Sequence, residues 1–281
     1  MYIASSTANA QKTIGKEISI SGYGLHRNVF TTVTLVPSGV NGGRRFVIND
    51  KVIAADFSQV VATSFCTTLS QEGRTIQTVE HLLAALYGLQ IDNINIHVDG
   101  PELPILDGSA KPWADLIMAA GTVEQSQKKH LFSPTETLLY KRNDRTIAVQ
   151  PAVQTSITIE IDFPHPAIGN QKATFTLTPQ TFIDEIAPAR TFGFAKDLTA
   201  LQNGGLAKGV SLQNTLAYLD KELHPEQSLR FQDEPLRHKL LDLIGDLALF
   251  PKTIRGHIHC CKPGHGVTIS ALNHWFKDLT G

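Results

Sequence analysis

An internal repeat, kept in the same order in both halves of the chain, is the strongest constraint on its fold. The repeated pairs are TVTLVPS (32–38) with TIAVQPA (146–152), HLLAALYG (81–88) with HKLLDLIG (238–245), and NINIHVDGP (93–101) with RGHIHCCKPG (255–264). Each match is weak alone, and chance similarity between short strand-like segments is the competing explanation. Because the order is conserved, an internal duplication is the simplest account. We therefore predict an α+β fold with two similar domains, each containing a sheet backed by helices.

The pattern of apolar and polar residues predicts the strands and helices of the first half. Residues 17–36 alternate and are rich in β-branched side chains, which predicts two strands separated by a glycine-rich break. Residues 78–89 predict a helix and residues 93–100 predict a strand. Ser109 is placed to cap a further helix through KPWADLIMAA.

A polar segment divides the chain into two predicted domains. Residues 121–134 lack apolar periodicity, and we interpret them as a linker. The first domain then comprises residues 1–125 and the second residues 133–281. The second half is longer between its early strands and its histidine-bearing helix, so we expect insertions at 163–210.

Composition and charge narrow the class of protein. The formal net charge of −1 argues against a nucleic-acid binder, which normally carries a basic surplus. No run of about eighteen apolar residues occurs, so we predict no membrane-spanning helix, although transient contact with a membrane surface stays compatible with the sequence. The three cysteines are an odd number, and the N-terminus lacks the pattern of a signal peptide. We therefore expect a cytoplasmic protein.

Residues 234–250, EPLRHKLLDLIGDLALF, combine a charged stripe with a wide apolar arc. On a helix, Asp242 and Asp246 lie about 40° and about 80° from His238, and only Arg237 interrupts the apolar arc. A helix this apolar is largely buried, so its carboxylates need partners, and a metal ion is one such partner. A solvated face of His–Asp pairs, or a buried ion-pair network without metal, is the alternative.

The repeat adds a second histidine and an acid to this candidate site. His81 aligns with His238, so the two histidines meet at the domain interface if the halves pack with approximate twofold symmetry. Two histidines and Asp242 leave one coordination position for water, which is typical of catalytic rather than structural zinc sites. Glu80 stands beside His81 as a candidate general base. An ordinary first-turn acid, stabilised by the helix dipole, is the alternative for Glu80.

His265 lies in KPGHGV, a glycine-rich turn that follows the predicted strand HIHCC. Such a turn can present a side chain into a cleft, although a single loop histidine is often incidental. Asp246 lies one helical turn beyond Asp242, where it can orient and charge His265. We therefore interpret His265 as a candidate general acid.

Six segments between about residue 20 and residue 267 together match a family; they are TVEHLLAAL, DGPELPILDGSA, DFPHPAIGNQ, ARTFGF, RHKLLDLIGDL and KPGHG. In combination they resemble the UDP-3-O-acyl-N-acetylglucosamine deacetylases, zinc amidases at the committed step of lipid A synthesis in Gram-negative bacteria. The resemblance implies that the helices of the two domains pack together and that the active site lies at their junction.

The resemblance also implies residue roles. They are His81, His238 and Asp242 as ligands of Zn²⁺, Glu80 as general base, His265 as general acid with Asp246 in support, Thr191 as oxyanion donor, Lys239 as a contact to the anionic part of the substrate, and Phe192 and Phe194 as substrate contacts. Core packing is the alternative for the two phenylalanines. Residues 195–212 match the acyl-chain passage of the family. Cys66 falls near the site but is not expected to be a required ligand.

The expected activity is hydrolysis of the acetamide of UDP-3-O-(3-hydroxyacyl)-N-acetylglucosamine by a monomer, with release of acetate and the free amine. A zinc amidase acting on another acylated amine is the first alternative. A non-catalytic nucleotide-sugar- or lipid-binding relative is the second. Such a relative would be expected to have lost Glu80, His265 or a ligand, and all are present in this sequence.

Overall fold

The computed structural model describes residues 10–276 of the chain. Its strands are β1 (Ala10–Ile14), β2 (Ile18–Tyr23), β3 (Phe30–Pro37), β4 (Arg44–Ile48), β5 (Lys51–Ala54), β6 (Val60–Ala62), β7 (Thr68–Gln71), β8 (Arg74–Gln77), β9 (Ile94–Val98), β10 (Thr122–Lys128), β11 (Leu131–Phe132), β12 (Leu138–Arg142), β13 (Arg145–Gln150), β14 (Ser156–Phe163), β15 (Gly169–Thr176), β16 (Phe192–Phe194), β17 (Leu216–Tyr218), β18 (Thr253–Ile254) and β19 (His257–Cys261). Its helices are α1 (Glu80–Gly88), α2 (Lys111–Ala120), α3 (Pro179–Thr181), α4 (Ala195–Asn203), α5 (Glu234–Leu247) and α6 (His265–Phe276). A 3₁₀ turn at Phe57–Gln59 and a π-helical turn at Phe182–Ile186 complete the helical elements.

Two five-stranded sheets share one topology, with strand orders β2-β3-β9-β4-β5 and β12-β13-β19-β14-β15. In each sheet the central strand pairs antiparallel with one neighbour and parallel with the other. One helix precedes each central strand and another follows it, α1 and α2 around β9 and α5 and α6 around β19. This match confirms the two similar α+β halves predicted from the repeat.

Each sheet buries one face, because its strands alternate in sequence. In β3, Val33 and Leu35 are buried while their neighbours Thr32 and Thr34 are not. In β19, buried Ile258 and Cys260 alternate with histidines and a cysteine that are partly exposed. Successive side chains of a strand point to opposite faces, so this period of two puts the apolar face of each sheet toward the helices.

Helices α1 and α5 pack against each other at the junction of the two halves. Every residue of α1 is buried, and so are most residues of α5. A Cβ atom at Gly245 would lie well inside van der Waals distance of the backbone oxygen of Glu80. Only glycine lets the two helix backbones approach this closely. The arrangement is the helix packing that the family resemblance implies.

The segment predicted as a linker, residues 121–134, contains two strands. In it, β10 pairs antiparallel with β1, and β11 pairs parallel with β18. Nearly every residue of β10 is exposed, so this two-stranded ribbon has no apolar face that would mark it in the sequence. The domain limits 1–125 and 133–281 stay a prediction. The N-cap position of α2 is occupied by Ala110 and not by the predicted Ser109. Ser109 lies one residue earlier, and its hydroxyl accepts a hydrogen bond from the backbone N–H of Lys111 at 3.1 Å.

Both halves carry insertions, and their limits differ from the expected ones. Residues 163–176 belong to the long β14–β15 hairpin of the second sheet, so the insertion of the second half starts after β15 and continues to α5. The polar side chains of β15 concealed this strand in the sequence. In the first half, an unexpected three-stranded sheet, β6-β7-β8, precedes α1. Within residues 10–276, no helix has both the length and the apolar character needed to cross a membrane.

Candidate active site

Three buried side chains converge where α1 meets α5. The ligand atoms of His81, His238 and Asp242 all lie within 4.8 Å of one another. The Oδ1 atom of Asp242 is 3.4 Å from His238 Nε2 and 3.8 Å from His81 Nε2. His238 and Asp242 lie one turn apart on the same face of α5, and His81 occupies the equivalent early position of α1. The structure thus brings together the three residues predicted as metal ligands.

The electrostatics of this cluster fit a divalent cation. Burial lowers the pKa of His81 to about 3 and also lowers the pKa of His238, so both imidazoles are neutral at neutral pH. The Nδ1 atom of His238 donates to the carbonyl of Ala189 at 3.0 Å, which leaves Nε2 with its lone pair free. Burial opposes ionisation of Asp242, but the positive charges of neighbouring groups, foremost Lys239, outweigh it and lower the pKa of this carboxyl. Two neutral nitrogens and a carboxylate are a donor set that suits zinc.

Glu80 is a buried carboxyl beside the cluster. Its Oε2 atom accepts a hydrogen bond from the backbone N–H of Thr67 at 3.1 Å. Burial raises the pKa of Glu80 to about 7, with the positive charge of His265 opposing the shift and the negative charge of Asp242 adding to it. A carboxyl with a pKa near 7 can both accept and release a proton at neutral pH.

His265 forms an ion pair with Asp246. Its Nδ1 atom donates to Asp246 Oδ2 at 2.8 Å. Burial alone would lower the pKa of His265, but Asp246 outweighs it and raises the pKa to about 10. The imidazole is therefore protonated at neutral pH. His265 is the first residue of α6 and does not lie within a turn, which corrects the expectation.

Thr67 is a site residue that sequence reasoning missed. Its hydroxyl donates to Asp246 Oδ1 at 2.7 Å, while its backbone N–H donates to Glu80. Contacts between residues so distant in the chain leave no local pattern in TSFCTTL. Its neighbour Cys66 is buried, and burial raises the pKa of that thiol to about 12. Cys66 is therefore a neutral thiol at neutral pH and does not belong to the three-residue cluster.

A cleft of about 1010 Å³ opens beside the cluster. Five residues predicted from the sequence line it, namely Thr191, Phe192, Phe194, Lys239 and His265. The ammonium of Lys239 lies 2.6 Å from Asp242 Oδ2 and 5.5 Å from the centre of the Phe192 ring. Phe192 and Phe194 also pack in an aromatic cluster with Tyr218. The two rings therefore pack against other aromatic side chains and also line the cleft.

The cleft combines apolar and basic walls. Leu198, Leu201 and Val210 line it, and all three come from the segment 195–212 predicted as the acyl-chain passage. Arg142 and Arg145, at the β12–β13 turn, add positive charge to the wall. Sequence reasoning missed these two arginines, because a hairpin turn with charged residues is common on any surface. The lining suits a ligand that is anionic at one part and apolar at another.

Comparison with known proteins gives the same family as the sequence motifs. The family model described as UDP-3-O-acyl N-acetylglycosamine deacetylase matches residues 11–277. A protein of Myxococcus xanthus is 41% identical over 268 residues, which cover 94% of this chain and 84% of the relative. A Synechocystis protein is 43% identical over 260 residues, covering 90% of this chain and 94% of the relative. Both relatives carry the name UDP-3-O-acyl-N-acetylglucosamine deacetylase.

The family match, residues 11–277, covers nearly all of the described fold. The matched residues include both sheets, α1, α5 and every residue of the candidate metal-ligand cluster. This chain belongs to the UDP-3-O-acyl N-acetylglycosamine deacetylase family.

Proposed function

We propose that the chain removes the N-acetyl group from UDP-3-O-(3-hydroxyacyl)-N-acetylglucosamine, a reaction of lipid A biosynthesis that releases acetate and a free amine. The observation that carries the proposal is the position of Glu80 and His265 beside the three-ligand cluster. Both pKa values are raised, that of Glu80 to about 7 and that of His265 to about 10, so between these two values Glu80 is ionised while His265 is still protonated. Two titratable groups separated in this way provide a base and an acid at the same pH.

The metal that fits the cluster is zinc, held by His81, His238 and Asp242. Three protein ligands leave a coordination position open, as catalytic zinc sites do. When bound, zinc polarises the acetyl carbonyl as a Lewis acid and lowers the pKa of a water molecule.

The residues around the cluster carry the proton transfers. Glu80 takes a proton from the water whose oxygen attacks the carbonyl carbon of the acetamide. The carbonyl oxygen gains negative charge, and the hydroxyl of Thr191 donates a hydrogen bond to it, a contact worth about 3 kcal/mol in comparable sites. The bond from carbon to nitrogen then breaks as His265 transfers its Nε2 proton to the leaving amine nitrogen. Asp246 holds His265 in its charged form before the transfer.

The cleft matches the two chemically different parts of this substrate. Lys239, Arg142 and Arg145 supply positive charge for the diphosphate. The apolar side chains that the segment 195–212 presents to the cleft, among them Leu198 and Leu201, suit the acyl chain. The monomeric state, the cytoplasmic location and the transient contact with a membrane surface stay predictions.

Zinc content measured in parallel with deacetylase activity tests the proposal. We expect about one zinc per chain in wild-type protein, from the three-ligand set, and loss of both zinc and activity in His238→Ala. His97→Ala, on the exposed side of β9, is the matched control and should keep both. Active protein without zinc would overturn the metal assignment. Equal turnover of plain UDP-N-acetylglucosamine and its acylated form would favour an amidase for another acylated amine.

A further inference from the structure

A second cavity, of about 190 Å³, lies at the junction of the two halves and shares no lining residue with the catalytic cleft. Arg44, Tyr87 and Gln90 line it from the first half of the chain. Thr155 and Arg255 line it from the second half, and Lys129 lies between the repeats. None of these lining residues takes part in the proposed chemistry, although Tyr87 belongs to α1, the helix that carries Glu80 and His81.

Two cations at this cavity are held in place by the fold. Arg44 donates from Nε to the carbonyl of Ile91 at 2.9 Å and from Nη1 to the carbonyl of Ala248 at 3.2 Å. The side chain of Lys129 is only 6% exposed, and its Nζ donates to the carbonyl of Gln90 at 3.0 Å. The two side chains thus cannot swing into solvent without losing these contacts.

The positive charge here exceeds the negative charge. Asp92 lies 2.9 Å from the ammonium of Lys129. Its negative charge acts on both Lys129 and Arg44. No acidic side chain lines the cavity within the described part of the chain, whereas Arg255 adds a third cation. Burial lowers the pKa of both Arg44 and Lys129, and Asp92 offsets this only in part. Buried charge without a full counter-charge is costly, so an anion would stabilise the cluster.

We propose that this cavity binds a small phosphate-bearing anion. Guanidinium and ammonium groups together are the usual protein partners of phosphate, and Gln154 and Thr253 add polar groups to the wall. A cavity of about 150 Å³ accepts a molecule the size of benzene. The present cavity therefore suits inorganic phosphate or a short phosphate monoester and is too small for a nucleotide.

Calorimetric titration of the purified full chain with inorganic phosphate, at constant ionic strength, tests the proposal. We expect saturable binding that weakens about tenfold or more in Lys129→Gln and in Arg255→Gln, since each removes a charged contact. Lys129→Arg, which keeps the charge, should bind like wild type. A parallel titration with glycerol 3-phosphate distinguishes a phosphate monoester from free phosphate as the ligand. Tighter binding than that of inorganic phosphate indicates a monoester, and weaker binding indicates the free ion.

Three controls make the result decisive. Lys239→Gln, in the catalytic cleft, should leave this binding unchanged, and so should Lys16→Gln on the exposed surface. Unfolding midpoints without phosphate identify any variant that is simply unstable, and Arg255→Gln, at an exposed residue, remains usable if Lys129→Gln unfolds. Absence of phosphate binding in wild type overturns the proposal. Loss in Lys239→Gln with retention in Lys129→Gln, or equal loss in Lys16→Gln, overturns it as well.

Discussion

At the scale of single residues, Thr67 holds two proposed catalytic groups at once. Its backbone N–H binds Glu80 and its hydroxyl binds Asp246, which in turn holds His265. The backbone contact does not depend on the side chain, so the two functions of Thr67 can be separated by substitution.

Thr67→Val should therefore lower kcat with little change in KM. The variant keeps the shape of the side chain but removes the donor to a buried carboxylate, and hydrogen bonds to charged groups are worth about 1.5–3 kcal/mol. We expect a fall in kcat of about tenfold or more, measured by steady-state kinetics at unchanged zinc content. Thr67→Ser keeps the hydroxyl and should remain close to wild type. Activity of Thr67→Val within twofold of wild type would contradict the positioning role.

The ion pair of His265 with Asp246 sets the expected pH dependence. The rate should rise as Glu80 loses its proton near pH 7 and fall as His265 loses its proton near pH 10. Because the charge of Asp246 raises the pKa of His265, Asp246→Asn should move the alkaline limb toward lower pH. Profiles of kcat/KM from pH 5 to 11 measure this shift. Asp115→Asn, at an exposed site on α2, should leave both limbs in place, and an unmoved alkaline limb in Asp246→Asn would refute the assignment.

Helical spacing and the repeat allowed the ligand cluster to be predicted from sequence. His238 and Asp242 share a helix face, and His81 is the repeat partner of His238. Thr67 and Arg145 were missed, because they reach the site through contacts between distant parts of the chain. Such contacts depend on the relative placement of whole elements, which local patterns do not encode.

At the scale of elements, the crossing of α1 and α5 controls the geometry of the site. Gly245→Ala would push a methyl group into the backbone of Glu80 and force the helices apart. Overpacking of this kind costs about 1–3 kcal/mol of unfolding free energy. We expect a lower urea midpoint together with weaker zinc binding, since Glu80 and His81 move as one segment. Gly39→Ala, where an added methyl group meets nothing within 4 Å, is the control, and equal effects in both variants would argue against the crossing.

The elements that sequence reasoning found are those with a pronounced apolar pattern. The strands in 17–36 and the helices α1 and α5 show clear periodicity, and the structure contains them. The ribbon strand β10 was missed because it exposes most of its side chains. The outer strand β15 was assigned to an insertion, since its polar residues resemble a loop.

At the scale of the whole molecule, the ligand cluster links the two halves. Its ligands come from α1 and α5, so a bound zinc ion should stabilise the packing of one half on the other. Removal of zinc with a chelator should lower the unfolding free energy by about 3–4 kcal/mol, for free zinc at 100 to 1,000 times Kd. Thermal unfolding with and without chelator measures the difference, and added zinc should restore it. His238→Ala should show no response, and an unchanged midpoint in wild type would contradict the linkage.

The duplicated topology also fixes an order of assembly during synthesis. The first five-stranded sheet and β10 are complete once residue 128 has left the ribosome, yet that half contributes only His81 to the cluster. The other two ligands follow more than a hundred residues later, on α5. The complete set of proposed zinc ligands therefore exists only after α5 has been synthesised, so the proposed site would bind its metal late in the maturation of the chain.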